Sequence, residues 1–238
     1  MTYAILTKNG TRPVNEDSVG TTRAENRDLF VLADGLGGHG GGETASGIAV
    51  DTAKDFFRRN NDENLIANII EQADRNILDK QNEPGFPSDM KTTIVCLTVE
   101  NGVGKWGHVG DSRLYLFRKK KPILRTTDHS VPQALVLAGK LKEKKIRFHE
   151  DRSKLLRALG VREKKLSFDI SEPAELIPGD VFLLCSDGFW EWINEKEMQK
   201  TLKKYDDPGK WLEAMEKILL KNGEKNELDN YSAIAVFI

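Results

Sequence analysis

Two apolar runs in this sequence end in the same way, in an aspartate followed by a glycine. Residues 29–35 read LFVLADG, and residues 181–188 read VFLLCSDG. A short apolar run bounded by a turn predicts a buried strand, and the Asp-Gly pair predicts that the chain turns where the strand ends. Each strand therefore delivers one carboxylate, that of Asp34 or Asp187, to the exposed end of a sheet. The fold must place these strand ends where charged groups are stable.

Two further acidic segments accompany these strand ends. Residues 15–17 read NED, and Asp229 with Asn230 directly precedes the last apolar run, residues 231–238. Carboxylates gathered from remote parts of a chain repel one another, and they tolerate proximity only when cations lie between them. Hard oxygen ligands select Mg²⁺ or Mn²⁺. The pattern therefore predicts a metal site built from distant segments.

The composition is that of a globular protein. The 238 residues allow one large domain or two small ones, and 39% are hydrophobic while 31% are charged, which argues against a disordered chain. The net charge of −1 provides no basic field for nucleic acid. No run is long enough to span a bilayer, and residues 1–10 lack the pattern of a signal peptide, so we expect no membrane partner and a cytoplasmic location. Cys96 and Cys185 lie in apolar runs and predict buried, reduced thiols.

Hydrophobic periodicity separates predicted strands from predicted helices. Strands are predicted over residues 3–7, 17–20, 29–33, 92–99, 103–109, 113–118, 166–170, 181–186 and 231–238, and long helices over residues 43–59, 65–78, 195–205 and 208–221. Asn101-Gly102 is a strong hairpin signal between two of the strands. Hairpin-linked strands with segregated helices indicate an α+β fold, in which two antiparallel sheets stack face to face with helices outside.

Residues 132–159 differ from the rest of the chain. Two short helices are predicted, over 132–141 and 154–159, around a charged segment with weak periodicity. A stretch of this kind indicates a mobile insert that lies over a more regular scaffold.

Seven short motifs occur in one order: RPVNED at 12–17, DGLGGH at 34–39, GDSR at 110–113, TDHS at 127–130, RALG at 157–160, SDG at 186–188 and DN at 229–230. Each alone is weak evidence, but the ordered set resembles the PPM family, the metal-dependent serine/threonine protein phosphatases of the 2C class, in its short bacterial form. The resemblance covers about residues 12–238. It implies a single phosphatase domain over residues 1–238, folded as a four-layer α-β-β-α sandwich, with a small flap subdomain at about residues 130–156.

The resemblance also implies ligands for a first metal ion. Asp34 is similar to the carboxylate that bridges two ions in the family, and the Gly35 carbonyl is the backbone ligand expected beside it. Asp187 and Asp229 are similar to the other ligands of the first ion. The alternative for each of these residues alone is a structural turn, which the ordered set of motifs makes the weaker interpretation.

Ligands for further ions follow from the same resemblance. Glu16 and Asp17 are adjacent and point to opposite faces of an extended segment, so one of them would face the second ion, and the sequence leaves open which. Asp111 would hold a third, weaker ion together with Asp187, or else be a turn residue that bonds to the backbone at Arg113.

Arg12 resembles the arginine that binds the substrate phosphate in the family. A guanidinium suits this role because it can donate two parallel hydrogen bonds to phosphate oxygens. One departure from the family concerns the group that protonates the leaving oxygen. Animal members have a histidine directly after Asp-Gly, whereas this chain has Leu36, and neither His39 nor His129 is an evident replacement.

The resemblance implies hydrolysis of phosphoserine and phosphothreonine in proteins by a water activated at a centre of two Mn²⁺ or Mg²⁺ ions. Phosphorylated proteins and a cognate bacterial serine/threonine kinase are then the expected partners, and the expected state is a monomer. Two alternatives remain open: a catalytically weak regulator that binds phosphoproteins, and a small-phosphoester hydrolase of the same fold. Inactive relatives usually lose a metal aspartate, and Asp34, Asp187 and Asp229 are all present here, which favours an active enzyme.

Overall fold

The computed structural model describes residues 1–36, 41–162 and 165–238. One sheet contains β1 (Thr2–Lys8), β7 (Arg113–Arg118), β8 (Lys121–Arg125), β11 (Val181–Cys185) and β12 (Tyr231–Phe237). We call it sheet A, and its strand order is β1-β12-β11-β7-β8. Every neighbouring pair in sheet A is antiparallel, so the first and last strands of the chain lie side by side.

The second sheet, sheet B, contains β2 (Asp17–Ala24), β3 (Arg27–Leu36), β5 (Ile94–Glu100), β6 (Val103–Val109) and β10 (Ala174–Glu175). Its order is β10-β6-β5-β3-β2, and two short strands extend it, because β4 (Lys91–Thr92) pairs with β3 and β9 (Asp169–Ile170) pairs with β6. These pairings are also antiparallel. Asn101 and Gly102 both have positive φ, 49° and 75°, as the hairpin between β5 and β6 requires.

The helices are α1 (Gly41–Arg59), α2 (Leu65–Lys80), α3 (Val131–Leu137), α4 (Asp187–Trp190), α5 (Glu195–Leu202) and α6 (Pro208–Gly223), with a 3₁₀ helix over Glu143–Phe148. Side-chain caps mark where two of them begin. The Asp207 carboxylate accepts from the backbone N–H of Lys210 at 2.8 Å, and Asn194 and Glu197 form a reciprocal capping box at the start of α5.

The core consists of three layers, and strand alternation decides which side chain enters each. On β3, Leu29, Val31 and Ala33 pack against α1 and α2, whereas Phe30 and Leu32 pack between the two sheets. The strands of sheet A alternate in the same way between the inter-sheet layer and the layer under α5 and α6. Because successive side chains of a strand point to opposite faces, an uninterrupted apolar run is what a strand buried on both faces needs.

The predicted fold class is confirmed: two stacked antiparallel sheets lie between two helical layers. Cys96 and Cys185 are buried free thiols, as predicted. No helix among the described residues is long and apolar enough to cross a membrane. The division of the chain into one domain and a flap at about residues 130–156 remains a prediction.

The secondary-structure prediction was wrong in part of the middle region. Residues 154–159, predicted as a helix, are irregular, and Leu159 and Leu155 form isolated bridges to Thr92 and Ser130. Of the predicted strand over 166–170, only Asp169–Ile170 pairs, and β8 was not predicted. Runs this short carry too few apolar positions to separate a helix from extended chain, so distant backbone partners decide their conformation.

A buried ion pair connects two of the sequence motifs. Arg113 donates from Nε to Asp128 Oδ1 at 2.8 Å and from Nη2 to Asp128 Oδ2 at 2.6 Å. Both side chains are almost completely buried, and the guanidinium carbon lies 3.4 Å from the centroid of the Trp190 ring. The pair joins the end of the β6–β7 turn to the segment that leads into α3, and it leaves each charge dependent on its partner.

Replacing Asp128 with asparagine is expected to lower the free energy of unfolding by about 3–5 kcal/mol, because the buried Arg113 charge loses its counterion. Urea denaturation of the purified variant measures this loss. The control is Asp206→Asn, which removes the partner of Lys120 at an exposed site and is expected to change stability little. An effect of Asp128→Asn as small as that of the control would contradict the role given to the pair.

Candidate metal centre

Seven segments of the chain converge on one cleft of about 620 Å³ at an end of the sandwich. Seven of the eight predicted site residues line it: Arg12, Glu16, Asp34, Gly35, Asp111, Asp187 and Asp229. The eighth, Asp17, is buried directly beneath. Residues separated by more than 200 positions in sequence are therefore brought together, and the cleft that they form is rich in carboxylates.

The β2–β3 register brings the first acidic groups together. Asp17 is the antiparallel partner of Asp34, and the backbone N–H of Gly35 donates to the carbonyl of Glu16 at 3.1 Å. A Cβ atom on residue 35 would collide with the carbonyl of Gly42 at the start of α1. Glycine at this position therefore lets the helix approach the end of the strand that carries Asp34.

The backbone of Asp34 is held by two threonines of the neighbouring segment. Its N–H donates to Thr93 Oγ1 at 2.9 Å, and its carbonyl accepts from the N–H of Thr93 and from Thr92 Oγ1, both at 2.8 Å. Thr93 Oγ1 is in turn hydrogen-bonded to Ser112 Oγ at 2.7 Å, next to Asp111. This network fixes the positions of two predicted ligands relative to each other.

Asp187 and Asp229 come from neighbouring strands of sheet A. Asp187 begins α4 directly after β11, and Asp229 lies two residues before β12. A side chain at Gly188 would collide with the carbonyl of Asn230, so the two segments meet at this glycine. The side chains of Asp34 and Asp187 both line the cleft and interact electrostatically.

Burial and mutual repulsion disfavour the charged form of these acids. The pKa of Asp34 and that of Asp111 are raised well above the usual range, first by burial and then by the charge of Asp187. Burial, followed by the charge of Asp229, raises the pKa of Asp187. Burial is also the main cause that raises the pKa of Asp17 to about 7. The group is therefore stable as a set of anions only if cations compensate it.

The donor set fits divalent metal ions. Asp17 Oδ1 is buried and has no hydrogen-bond partner among the described residues, and a cation beside Asp34 and Asp187 would favour the ionised form of both. Arg12 is the one basic side chain among the described residues that line the cleft. Its Nη2 lies 3.0 Å from Asp229 Oδ2, at the exposed rim. Carboxylate and carbonyl oxygens are the ligands that Mg²⁺ and Mn²⁺ prefer.

Comparison with known proteins agrees with this arrangement. The family described as Protein phosphatase 2C matches residues 8–231 of the chain. The serine/threonine phosphatase stp of Listeria monocytogenes is 30% identical over 197 residues, which are 79% of this chain and 77% of that protein. This chain belongs to the protein phosphatase 2C family.

Two solved structures of phosphatases extend the likeness to the fold. Stp1 from Staphylococcus aureus has a TM-score of 0.89 and 28% identity, with 99% of this chain and 94% of that chain covered. The catalytic domain of PstP, solved in complex with two manganese ions, has a TM-score of 0.81 and 25% identity, with 98% and 96% covered. The predictions of the family and of a protein serine/threonine phosphatase are confirmed, and the family is metal-dependent.

Glu16 and Asp17 occupy different positions in this 2C-family cleft. The Glu16 side chain lines the cleft, and its N–H donates to Asn230 Oδ1 at 2.9 Å. Asp17 lies below, where Ser186 Oγ donates to its Oδ2 at 2.8 Å. The sequence left open which of the two acids faces the second ion. Which side chain faces the cleft depends on the register and orientation of β2, which begins at Asp17.

The sequence analysis missed several residues that the fold brings to the site. Glu43, Ser153 and Leu155 line the cleft. Glu191 lies one helical turn after Asp187 and pairs with Arg152 Nε at 2.9 Å, and its pKa is raised to about 7 by burial and then by Asp187. The four-residue spacing from Asp187 was the one signal in the sequence for Glu191.

Asn230 supports the segment that carries Arg12. Its Nδ2 donates to the carbonyls of Asn9 and Val14, both at 2.9 Å, and these residues flank Arg12 on either side. The asparagine thus fixes the two ends of the short loop on which the arginine lies.

A second group of side chains that could bind a metal consists of His108, His129 and Asp169, outside the cleft. Arg157 Nη1 lies 3.1 Å from His129 Nε2 and 3.0 Å from Asp169 Oδ1, so a guanidinium already occupies the position of a cation. The N–H of Gly110 points at His129 Nδ1 at 3.1 Å. Burial lowers the pKa of His129 to about 4, which makes the imidazole a neutral structural group. His39, the other histidine considered above, lies outside the described residues.

Metal-free protein is expected to lose stability as the pH rises from about 6.5 to 8.5. In the folded state Asp17, with a pKa of about 7, and Asp34, whose pKa burial raises well above the usual range, bind protons that the unfolded chain has already lost, so stability falls as the pH rises through their folded pKa values. Below pH 6.5, His108 and His129 have the opposite effect on stability. Because their folded pKa values are lowered, the unfolded chain binds more protons at these histidines, and their contribution to stability rises with pH. Urea unfolding in EDTA across this pH range tests the sign.

Two comparisons complete this experiment. Asp34→Asn removes one of the raised carboxyl groups and should flatten the pH dependence, and added Mn²⁺ should do the same by competing with protons. Stability of the metal-free protein that rises between pH 6.5 and 8.5 would contradict the electrostatic account of the cleft.

Proposed function

We propose that this chain hydrolyses phosphoserine and phosphothreonine residues in proteins at a centre of two divalent cations, Mn²⁺ or Mg²⁺. The observation that carries the proposal is the convergence of buried carboxylates from remote segments beside one exposed arginine. The PstP structure solved with two manganese ions supports the ion count by likeness. The relatives named serine/threonine phosphatases support the substrate class.

The proposed ligands follow the positions of the side chains. Asp34, Asp187 and Asp229 would hold one ion, and Asp34 with the Gly35 carbonyl and Glu16 would hold the other. Asp111, which lines the same cleft next to Ser112, would hold a weaker third ion with Asp187. When bound, such ions lower the pKa of water towards neutrality and offset the negative charge of the phosphate.

Asp17 is proposed to position this set from below. It accepts from Ser186 Oγ, and the same hydroxyl accepts from the N–H of Ser232 at 2.9 Å. The residue therefore connects the end of β2 to the loop that carries Asp187, and its second carboxylate oxygen is free to accept one more bond.

Arg12 is proposed to bind the phosphate of the substrate. Its guanidinium is about half exposed at the rim and pairs with Asp229, a contact that a phosphate dianion can replace with two parallel hydrogen bonds. The described residues that line the cleft include no histidine, and a carboxyl group or water is the proposed source of the proton for the leaving oxygen.

A cysteine nucleophile is not part of the proposed reaction. Cys185 is fully buried in β11, and burial raises the pKa of its thiol far above the ordinary value. A thiol in this environment is inert. Hydrolysis therefore proceeds without a covalent phosphoenzyme on this residue.

The proposed partners are phosphorylated proteins and a serine/threonine kinase. The enzyme would remove the phosphate groups that this kinase adds. The proposed flap, at about residues 130–156, contributes Ser153 and Leu155 to the cleft wall and presents the exposed side chains of Leu137 and Phe148. A segment at this position can contact the protein chain on either side of a phosphorylated residue.

Asp34→Asn is expected to reduce hydrolysis of a phosphothreonine peptide by at least about 100-fold. The reason is that a neutral amide cannot replace a carboxylate that is proposed to bind both cations. Phosphate release is measured with Mn²⁺ and with EDTA. Asp51→Asn, at an exposed position of α1, is the control and should retain full activity. Equal activity of the wild-type protein in Mn²⁺ and in EDTA would contradict the proposed metal dependence.

Arg12→Lys tests the phosphate contact separately. We expect kcat/KM for the phosphopeptide to fall by about 10- to 100-fold, because lysine supplies a charge but not the two-pronged geometry. Calorimetric titration with Mn²⁺ should show unchanged binding, since Arg12 is not a ligand. Arg23→Lys, at an exposed site on β2, is the matched control. If Arg12→Lys loses metal binding and leaves phosphopeptide kinetics unchanged, the assignment fails.

A further inference from the structure

A second groove, of about 400 Å³, adjoins the metal cleft. Leu36, Ser153 and Leu155 line both, so the two cavities lie side by side and share part of their walls. A peptide whose phosphorylated side chain lies in the cleft has its neighbouring residues within reach of this groove. We call it the cationic groove, for the reason given next.

Three basic side chains line the cationic groove: Lys91, Arg157 and Lys165. Within the part of the chain that the structure describes, neither lysine has a carboxylate at ion-pair distance. Asp74 is the one acidic residue among the described lining residues, and its Oδ1 already accepts from the N–H of Gly160 at 2.8 Å. The groove therefore carries an excess of positive charge beside a cleft that is lined by carboxylates.

Arg157 is held rigidly at the groove. It belongs to the RALG motif at residues 157–160, which the proposed reaction does not use. Its Nη1 contacts Asp169 Oδ1 and His129 Nε2, and two residues later Leu159 exchanges backbone hydrogen bonds with Thr92. The motif thus anchors one wall of the groove to the strand segment that also holds Asp34.

The groove also has apolar walls. Leu156 is about half exposed, and Leu155, Val161 and Leu166 line the groove with it. Apolar walls with a few charged groups suit an extended peptide segment whose side chains alternate between apolar and acidic contacts.

We propose that the cationic groove binds acidic side chains of the protein substrate close to the phosphorylated residue. The enzyme then prefers phosphorylated sites flanked by aspartate or glutamate. The inference rests on the proposed function, and two observations on the molecule carry it: the groove shares lining residues with the cleft, and its charge is complementary to a carboxylate.

The test compares two phosphothreonine peptides that differ only in flanking residues, glutamate in one and glutamine in the other. With wild-type enzyme and Mn²⁺, kcat/KM for the glutamate peptide should be higher by about threefold for each carboxylate that contacts a lysine. The double variant Lys91→Met with Lys165→Met should bring this ratio close to one, and it should leave hydrolysis of a small aryl phosphate unchanged. Higher salt should reduce the wild-type ratio.

The matched control is Lys217→Met, which removes an exposed lysine of α6 that lies outside the flap and does not line the groove. It should keep the wild-type ratio. Circular dichroism checks that the double variant is folded, as is expected for side chains that make no ion pair within the described residues.

Binding provides a readout that does not depend on turnover. Fluorescence anisotropy of both peptides with the Asp34→Asn protein should show tighter binding of the glutamate peptide, and the two lysine substitutions should remove that difference. Equal kinetics and equal binding of the two peptides to the wild-type and Asp34→Asn backgrounds would overturn the inference. If the glutamate peptide binds more tightly but the wild-type protein with Mn²⁺ hydrolyses neither peptide, the role of the groove is supported and the proposed function is refuted.

Discussion

The repulsion between buried carboxylates is the constraint on which the rest of this structure depends. Burial raises the pKa of Asp34, Asp111 and Asp187; the charge of Asp187 adds to this effect at Asp34 and Asp111, and the charge of Asp229 adds to it at Asp187. Isolated acids would avoid such proximity, yet backbone hydrogen bonds to Asp34 and the close approach of Gly188 to Asn230 hold them together. A fold accepts this arrangement where cations bind, and the family to which the chain belongs is metal-dependent.

The two sheets place the residues that stabilise the fold and the residues of the site in different parts of the molecule. Alternating side chains fill three apolar layers, and the cleft lies at the ends of strands where the chain leaves those layers. The buried Arg113–Asp128 pair shows the opposite solution for charge, since each ion there has a protein counterion. In the cleft, Arg12 is the single basic group among the described lining residues, and bound cations are the proposed compensation for the remaining negative charge.

Much of the fold and of the site could be predicted from the sequence. The long runs, such as residues 29–33 and 181–185, carried enough apolar positions to identify strands. The Asp187-Gly188 pair follows the end of β11 as predicted, whereas β3 continues through Asp34-Gly35 to Leu36 because Gly35 and Leu36 pair with β4. Residues 154–159 could not be predicted, because their conformation depends on bridges from Leu155 and Leu159 to other segments. Glu191 was missed for a related reason: its closeness to Asp187 matters only once α4 lies over the cleft.

The sequence by itself determined the identity of the acids, their order along the chain and the alternation that builds the core. Those properties are local or depend on motifs within a few residues. The tertiary structure alone decided that Glu16 lines the cleft while Asp17 lies beneath it, that burial and the charge of Asp187 raise the pKa of Asp34, and that Lys91 and Lys165 border a groove that shares part of its wall with the site. Each of these depends on strand register and on contacts between remote segments, which no local pattern encodes.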